Sequence, residues 1–186
     1  NLPDAFLDSF YTPRTGFIIM KNIECAGLTF GNTQPLAIIA GPCQLESVGH
    51  AEMIAGHLQE ACAATGAQFV FKASFDKANR TSLNSFRGLG IDKGLHILQA
   101  VKDQIGVPVI TDVHEDTPLL EVSSVVDVLQ TPAFLCRQTN FIQKVAAMNK
   151  PVNIKKGQFV SAEMMQFALD KVVSTGNKNI MLTERG

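Results

Sequence analysis

The sequence predicts an α/β fold, a (β/α)8 TIM barrel with an N-terminal hairpin, from three observations: strand-like and helix-like segments alternate, the strand segments are nearly continuous apolar runs, and no dinucleotide-binding glycine loop follows the first of them. Alternation alone leaves two architectures, the barrel and an open doubly wound sheet. A doubly wound dinucleotide site needs its glycines after the first strand, where this chain reads Ala40-Gly-Pro-Cys-Gln-Leu-Glu-Ser47. The glycine cluster Gly88-Leu-Gly-Ile-Asp-Lys-Gly94 also misses G-x-G-x-x-G, because Lys93 fills its sixth position. The barrel is favoured.

Residues 22–35 (NIECAGLTFGNTQP) open the fold as a hairpin punctuated by Gly and Asn. Strands are then expected at 36–40, 68–72, 108–111, 125–129, 151–155 and 179–183. Between them, Ser47 caps a helix with apolar positions Ala51, Ile54, Ala55, Leu58 and Cys62 and a stop at Gly66. Asp92 precedes Leu95, Leu98, Val101 and Ile105, with Gly106 as the stop, and Thr117 with Pro118 starts the next helix. Thr139 and Ser161 start two more, the last carrying Met164, Met165, Ala168, Val172 and Val173 as a core stripe. A complete barrel has eight strands in about 250 residues. With 186 residues and six strands, the chain reads as a barrel truncated after the sixth. Residues 1–21 form an unmatched N-terminal extension, with Met20 as a candidate start, and residues 22–186 the partial barrel domain.

Composition narrows the function. A hydrophobic share of 46% with 18% charged residues describes a chain that buries a core. Its 16 basic and 17 acidic side chains give a net charge of -1, so no general field draws in nucleic acid or an anionic membrane. With no Trp and one Tyr, interleaved stacking platforms for single strands are lacking too. No apolar run approaches the roughly 20 residues of a membrane span, and the start of the chain lacks a secretory signal pattern, which points to the cytoplasm. The four cysteines, Cys25, Cys43, Cys62 and Cys136, include no C-x-x-C pair, against a disulfide scaffold or a self-contained zinc knuckle.

In either candidate fold ligands bind at the carboxyl ends of the strands. There the sequence sets Cys43 and Glu46, then Lys72, Asp76, Lys77, Asn79, Arg80 and Thr81, then Asp112, His114 and Glu115, then Gln130 and Arg137, then Lys155 and Lys156, then Glu184 and Arg185. Seven of the 16 cations (Lys72, Lys77, Arg80, Arg137, Lys155, Lys156, Arg185) are thus expected on one rim. Any one of them fits a solvated loop equally well. Together they describe a focused site for phosphate or carboxylate oxygens.

The series IAGPCQLES (39–47), FKASFDKANRTS (71–82), FRGLGIDKGL (86–95), VITDVHE (109–115), LQTPAFLCRQT (129–139), NIKKGQF (153–159) and LTERG (182–186) resembles the 3-deoxy-D-manno-octulosonate-8-phosphate synthase family, collinearly from about Asn22 onward. That resemblance implies a (β/α)8 barrel, usually a homotetramer, that condenses phosphoenolpyruvate with arabinose 5-phosphate for a lipopolysaccharide sugar. Related heptulosonate-phosphate synthases typically carry K-P-R-T-S where this chain reads KANRTS. Two alternatives stay open: such a synthase using erythrose 4-phosphate, or a truncated barrel that binds phosphorylated ligands without catalysis.

By resemblance, Lys77, Gln130, Lys155 and Arg185 hold phosphoenolpyruvate. Asn79, Arg80 and Thr81 hold arabinose 5-phosphate, with Lys72 and Asp112 along the sugar chain, and Arg137 reaches a neighbouring subunit's site. Lys155, Asp112 and Lys72 are the catalytic candidates, Lys155 as a proton carrier tuned by Lys156 and Arg185. Cys43 taken by itself is one donor where a metal site needs three or four, and a lone cysteine is commonly a small buried hydrophobe. The family has cysteine here in metal-dependent members and asparagine in metal-independent ones, so the resemblance implies a divalent metal ion at Cys43, its other ligands lying past residue 186. His114 is read as a hydrogen-bonded structural residue or substrate contact, and Cys25, Cys62 and Cys136 as structural.

Overall fold

In the computed structural model of the protein, residues 22–185 are described. The expected extension over 1–21 lies outside them. Strands β1 (Ile23–Cys25) and β2 (Leu28–Phe30) pair antiparallel, with Cys25 opposite Leu28. Ala26 and Gly27 between them have φ of 47° and 83°, the two positive values of a type I′ hairpin turn.

Six strands follow: β3 (Ala37–Ala40), β4 (Gln68–Lys72), β5 (Val109–Asp112), β6 (Val128–Thr131), β7 (Val152–Lys155) and β8 (Ile180–Thr183). They pair in parallel and in sequence order, without the order reversal of a doubly wound sheet. This is the arrangement of consecutive (β/α)8 barrel strands, and it decides between the two architectures.

Five helices connect the strands: α1 (Val48–Thr65), α2 (Ile91–Ile105), α3 (Leu119–Val125), α4 (Thr139–Ala146) and α5 (Met165–Val173). The Ser47 hydroxyl accepts from the His50 amide at 3.2 Å, as a capping residue should, and Gly66 and Gly106 close α1 and α2.

Other boundaries move. The strand expected at 125–129 lies at 128–131, because Val125 ends α3 and Asp127 turns aside to accept the Val109 amide at 2.9 Å and the Lys102 ammonium at 2.9 Å. Apolar residues on both sides of that turn hid it. Helix α2 begins at Ile91, placing Asp92 in its first turn, and the Thr117 hydroxyl caps nothing downstream but accepts from the His114 amide. Thr139 is the first residue of α4, and α5 starts after Met164 rather than at Ser161. Periodicity defines a helix's buried face better than its first residue.

Register sorts the side chains into two faces. Phe69, Phe71, Val109, Leu129, Val152 and Ile154 point outward into a core shared with Leu98, Val101, Val122, Ile142 and Val172 of the helices. Val70, Ile110 and Val128 point inward, where Cys25 and Phe30 of the hairpin cover them. Gln68 ties that cover down: its amide accepts from the Thr29 N–H at 3.0 Å and donates to the Thr29 carbonyl at 2.8 Å. The hairpin seals the amino-terminal mouth, leaving the carboxyl ends of the strands for ligands.

Burial alone should separate two otherwise identical substitutions. Leu98→Ala, in the outer core at 0% exposure, is expected to cost about 2–5 kcal/mol. Leu83→Ala, 97% exposed, should stay within about 0.5 kcal/mol. Urea unfolding of the two variants checks the contrast.

Candidate active site

Above the apolar layer the inner face turns polar, with Lys72 on β4, Asp112 on β5, Gln130 on β6, Asn153 and Lys155 on β7, and Thr183 on β8. Asp112, 7% exposed, is their hub. Its Oδ2 accepts from Ser74 Oγ at 2.6 Å and lies 3.3 Å from the Lys72 ammonium. Its Oδ1 accepts from Gln130 Nε2 at 2.7 Å and lies 3.6 Å from the Lys155 ammonium. Gln130 Oε1 in turn accepts from Asn153 at 2.8 Å, and Asn153 Oδ1 from the Thr183 hydroxyl at 2.9 Å.

Burial alone would raise the Asp112 pKa, but the charges of Lys72 and Lys155 and the hydrogen bonds from Ser74 and Gln130 hold it well below the usual carboxylate range. Asp112 is therefore ionised at neutral pH. Because its folded pKa is depressed, this contribution to stability is present above the unfolded value near ~3.9 and is lost only as pH falls through the lower folded value.

Ser74 is the second junction. Its hydroxyl accepts from Lys72 at 3.1 Å and from Lys77 at 2.9 Å while donating to Asp112. Neither Ser74 nor Asn153 stood out in the sequence, yet each lies two residues from a lysine of the site in extended backbone. Period-two alternation carries such a residue to the same face.

A cleft of about 300 Å³ opens over this network. Its wall brings together Lys77, Asn79, Arg80 and Thr81 from the β4–α2 connection with Asp112, Lys155 and Arg185, and Cys43 lies on its border. Lys72 stands behind Asp112, and Gln130 is 3% exposed with its amide committed inside the network. Arg80 also bonds Gln44 Oε1 at 2.7 Å and the Phe86 carbonyl at 3.2 Å. His114 borders the cleft, half-buried, and burial pulls its imidazole pKa below the ordinary value.

Not all seven cations converge. Arg137 lines a separate groove with Val160, Met164 and Phe167, outside this cleft. Lys156 is buried the other way, donating to the carbonyls of Gly157 and Val160 and pairing with Glu184 at 3.2 Å. Consecutive residues leave an extended chain on opposite sides, so Lys156 turns away from the cleft that Lys155 faces. The charged neighbour of Lys155 is the Asp112 carboxylate.

Burial raises the Cys43 thiol, but the Lys77 hydrogen bond and the charges of Lys77, Lys72 and Arg80 bring it below its ordinary pKa. Burial and then the Lys72 charge lower Lys77, against the pull of Cys43 and Asp112.

The sequence matches the DAHP synthetase I family over residues 17–186. The chain belongs to that family. Among similar curated proteins, the 2-dehydro-3-deoxyphosphooctonate aldolase of Legionella pneumophila (strain Corby) is 63% identical over 164 residues, covering 88% of this chain and 60% of the relative. Enzymes of the same name from Thiobacillus denitrificans (62% over 156 residues, 84% and 56%) and Francisella tularensis subsp. novicida (58% over 164, 88% and 60%) are also similar. The chain spans about 60% of the length of these relatives.

The Lys77 hydrogen bond and nearby cations lower the Cys43 thiol from its ordinary pKa, but no group of three or more His, Cys, Asp or Glu side chains converges among the described residues. These residues alone do not make a metal site. Likewise, no helix among them is long and apolar enough to cross a membrane.

Cys43 is expected to react with iodoacetamide at lower pH than a free thiol, and Lys77→Met to move that profile upward. Buried Cys25, pushed up to about 12, should stay unlabelled in the folded protein. Peptide mass spectrometry across pH reads both. Asp112→Asn should lower the melting temperature by stranding Lys72 and Lys155. Added inorganic phosphate should restore more of that loss than it adds to the wild type, since uncompensated cations bind anions more tightly; paired thermal melts give the comparison.

Proposed function

We propose that the full-length protein condenses phosphoenolpyruvate with D-arabinose 5-phosphate and water, giving 3-deoxy-D-manno-octulosonate 8-phosphate and phosphate. The observation that carries this reading is the cationic cleft built on Asp112, a single concavity whose lysines and arginines can face two phosphorylated substrates. The name shared by the relatives at 58–63% identity favours the octulosonate product over a heptulosonate one.

In this reading Lys77, Lys155 and Arg185 hold the phosphate and carboxylate of phosphoenolpyruvate, with Gln130 beneath them. Asn79, Arg80 and Thr81 take the sugar phosphate, while Lys72 and Asp112 flank the sugar chain. Condensation needs the enol carbon of phosphoenolpyruvate brought against the aldehyde, the developing alkoxide protonated, and water added at the adjacent carbon before phosphate leaves. Phosphoenolpyruvate, with its phosphate and carboxylate, and the sugar phosphate are both anions that repel each other in water, and the cations of the cleft offset that repulsion where it would otherwise prevent approach. Lys155 is the group we place at the proton transfer, with Asp112 keeping its ammonium oriented.

Residues 22–186 form part of one synthase domain in this proposal, in a cytoplasmic protein that assembles as a homotetramer. Arg137, exposed on the outer rim, then reaches a neighbouring subunit's cleft rather than its own. The metal proposal is narrower: Cys43 would give a divalent ion one thiolate, with the other ligands supplied outside the described residues.

The test is phosphate release from phosphoenolpyruvate by the full-length protein, with arabinose 5-phosphate and erythrose 4-phosphate in parallel, with and without a chelator. Turnover with the pentose phosphate alone is expected, with Lys155→Met lowering kcat on the order of a hundredfold or more. Turnover with erythrose 4-phosphate alone would replace the reading with a heptulosonate synthase, and none with either would leave a phospho-ligand binder.

A further inference from the structure

The segment carrying Asn79, Arg80 and Thr81 has almost nothing of its own to hold it in place. Leu83 and Phe86, its large apolar side chains, are 97% and 67% exposed, so no core contact anchors the excursion from Ala78 to Phe86. Inside it the holds are local: the Ser85 amide donates to the Ser82 carbonyl, the Asn84 amide to the Ser82 hydroxyl, and Arg80 to Phe86 and Gln44.

The base of the excursion is built differently. Asp76 and Arg87 face each other across it in a two-pronged pair, Nε to Oδ1 at 2.9 Å and a terminal nitrogen to Oδ2 at 2.5 Å. Directly inside, the Lys77 amide donates to the Arg87 carbonyl at 2.7 Å. Gly88 lets the two sides meet: with φ of 144°, a Cβ there would stand 2.1 Å from the Phe75 carbonyl oxygen.

Exposed ion pairs contribute little to global stability, and Arg87 is 60% exposed. A forked arginine–carboxylate contact nonetheless fixes two directions at once, which a lysine cannot do. We infer that the Asp76–Arg87 pair is a latch that positions the Asn79–Thr81 segment over the cleft, making both residues positioning residues for the sugar-phosphate half of the site. That last part rests on the proposed reaction.

The latch should matter unequally to the two substrates. The Lys77 ammonium is tied independently to the Ser74 hydroxyl at 2.9 Å, deep in the network. It keeps its place when the base opens. Among the described residues no side-chain hydrogen bond gives Asn79 or Thr81 such a second tie, and Arg80 leans on Phe86, one residue from the latch itself.

The experiment uses Arg87→Met, the nearly isosteric Asp76→Asn and the conservative Arg87→Lys in the full-length protein. Hydrogen exchange of peptides over 77–87 should quicken in the first two while peptides over β5–β8 keep their protection. The KM for arabinose 5-phosphate should rise about tenfold or more, with kcat and the KM for phosphoenolpyruvate within about threefold, and Arg87→Lys should fall between. Unchanged exchange over 77–87, or equal losses for both substrates, would overturn the latch. If the wild type turns over neither substrate, the exchange result still decides the latch, and the sugar-phosphate assignment falls with the reaction instead.

Discussion

Asp112 is the charge on which the candidate site depends. Three ammonium groups, Lys72, Lys77 and Lys155, gather around it, and without a carboxylate they would drive one another apart. At an effective dielectric near 20, a charge pair at about 4 Å is worth about 4 kcal/mol. The two attractions at 3.3 and 3.6 Å are of that order, but withdrawing each ion from water costs several kcal/mol. The balance is close. Asp112 is thus better understood as setting geometry than as stabilising the fold, and its hydrogen bonds from Ser74 and Gln130 serve the same end by fixing the direction of its lone pairs.

The cleft stays attractive to anions because its carboxylates are already spent. Of the two on its wall, Asp76 is engaged by Arg87 and Asp112 by two lysines, while Arg80 and Arg185 face the opening with weaker commitments. A chain of net charge -1 can in this way present a strongly positive concavity without a positive surface elsewhere. The hairpin completes the design from below: Cys25 and Phe30 cover the inner apolar layer, so the polar network above it sits on an apolar floor.

Much of this could be read from the chain. Continuous apolar strands implied a sheet buried on both faces, and Ser47, Gly66 and Gly106 marked their helix ends, because capping chemistry is local. The strand near Asp127 was misplaced because the run VVDVL is equally apolar on either side of the turn, and only the bonds of Asp127 to Val109 and Lys102 show where the turn falls. Ser74 and Asn153 were passed over because a hydroxyl and an amide carry no charge to draw notice.

By itself the sequence determined the alternation of elements, the buried faces and the stock of cations at the strand ends, since each follows from spacing along one segment. Only the tertiary structure decided which cations share a cleft. It brought Lys77, Arg80, Lys155 and Arg185 together, sent Arg137 to another groove and turned Lys156 into the protein to meet Glu184. The reason is physical: convergence depends on strand register and on the side of the sheet each residue leaves. Those are set by pairing between segments far apart in the chain, which no local pattern encodes.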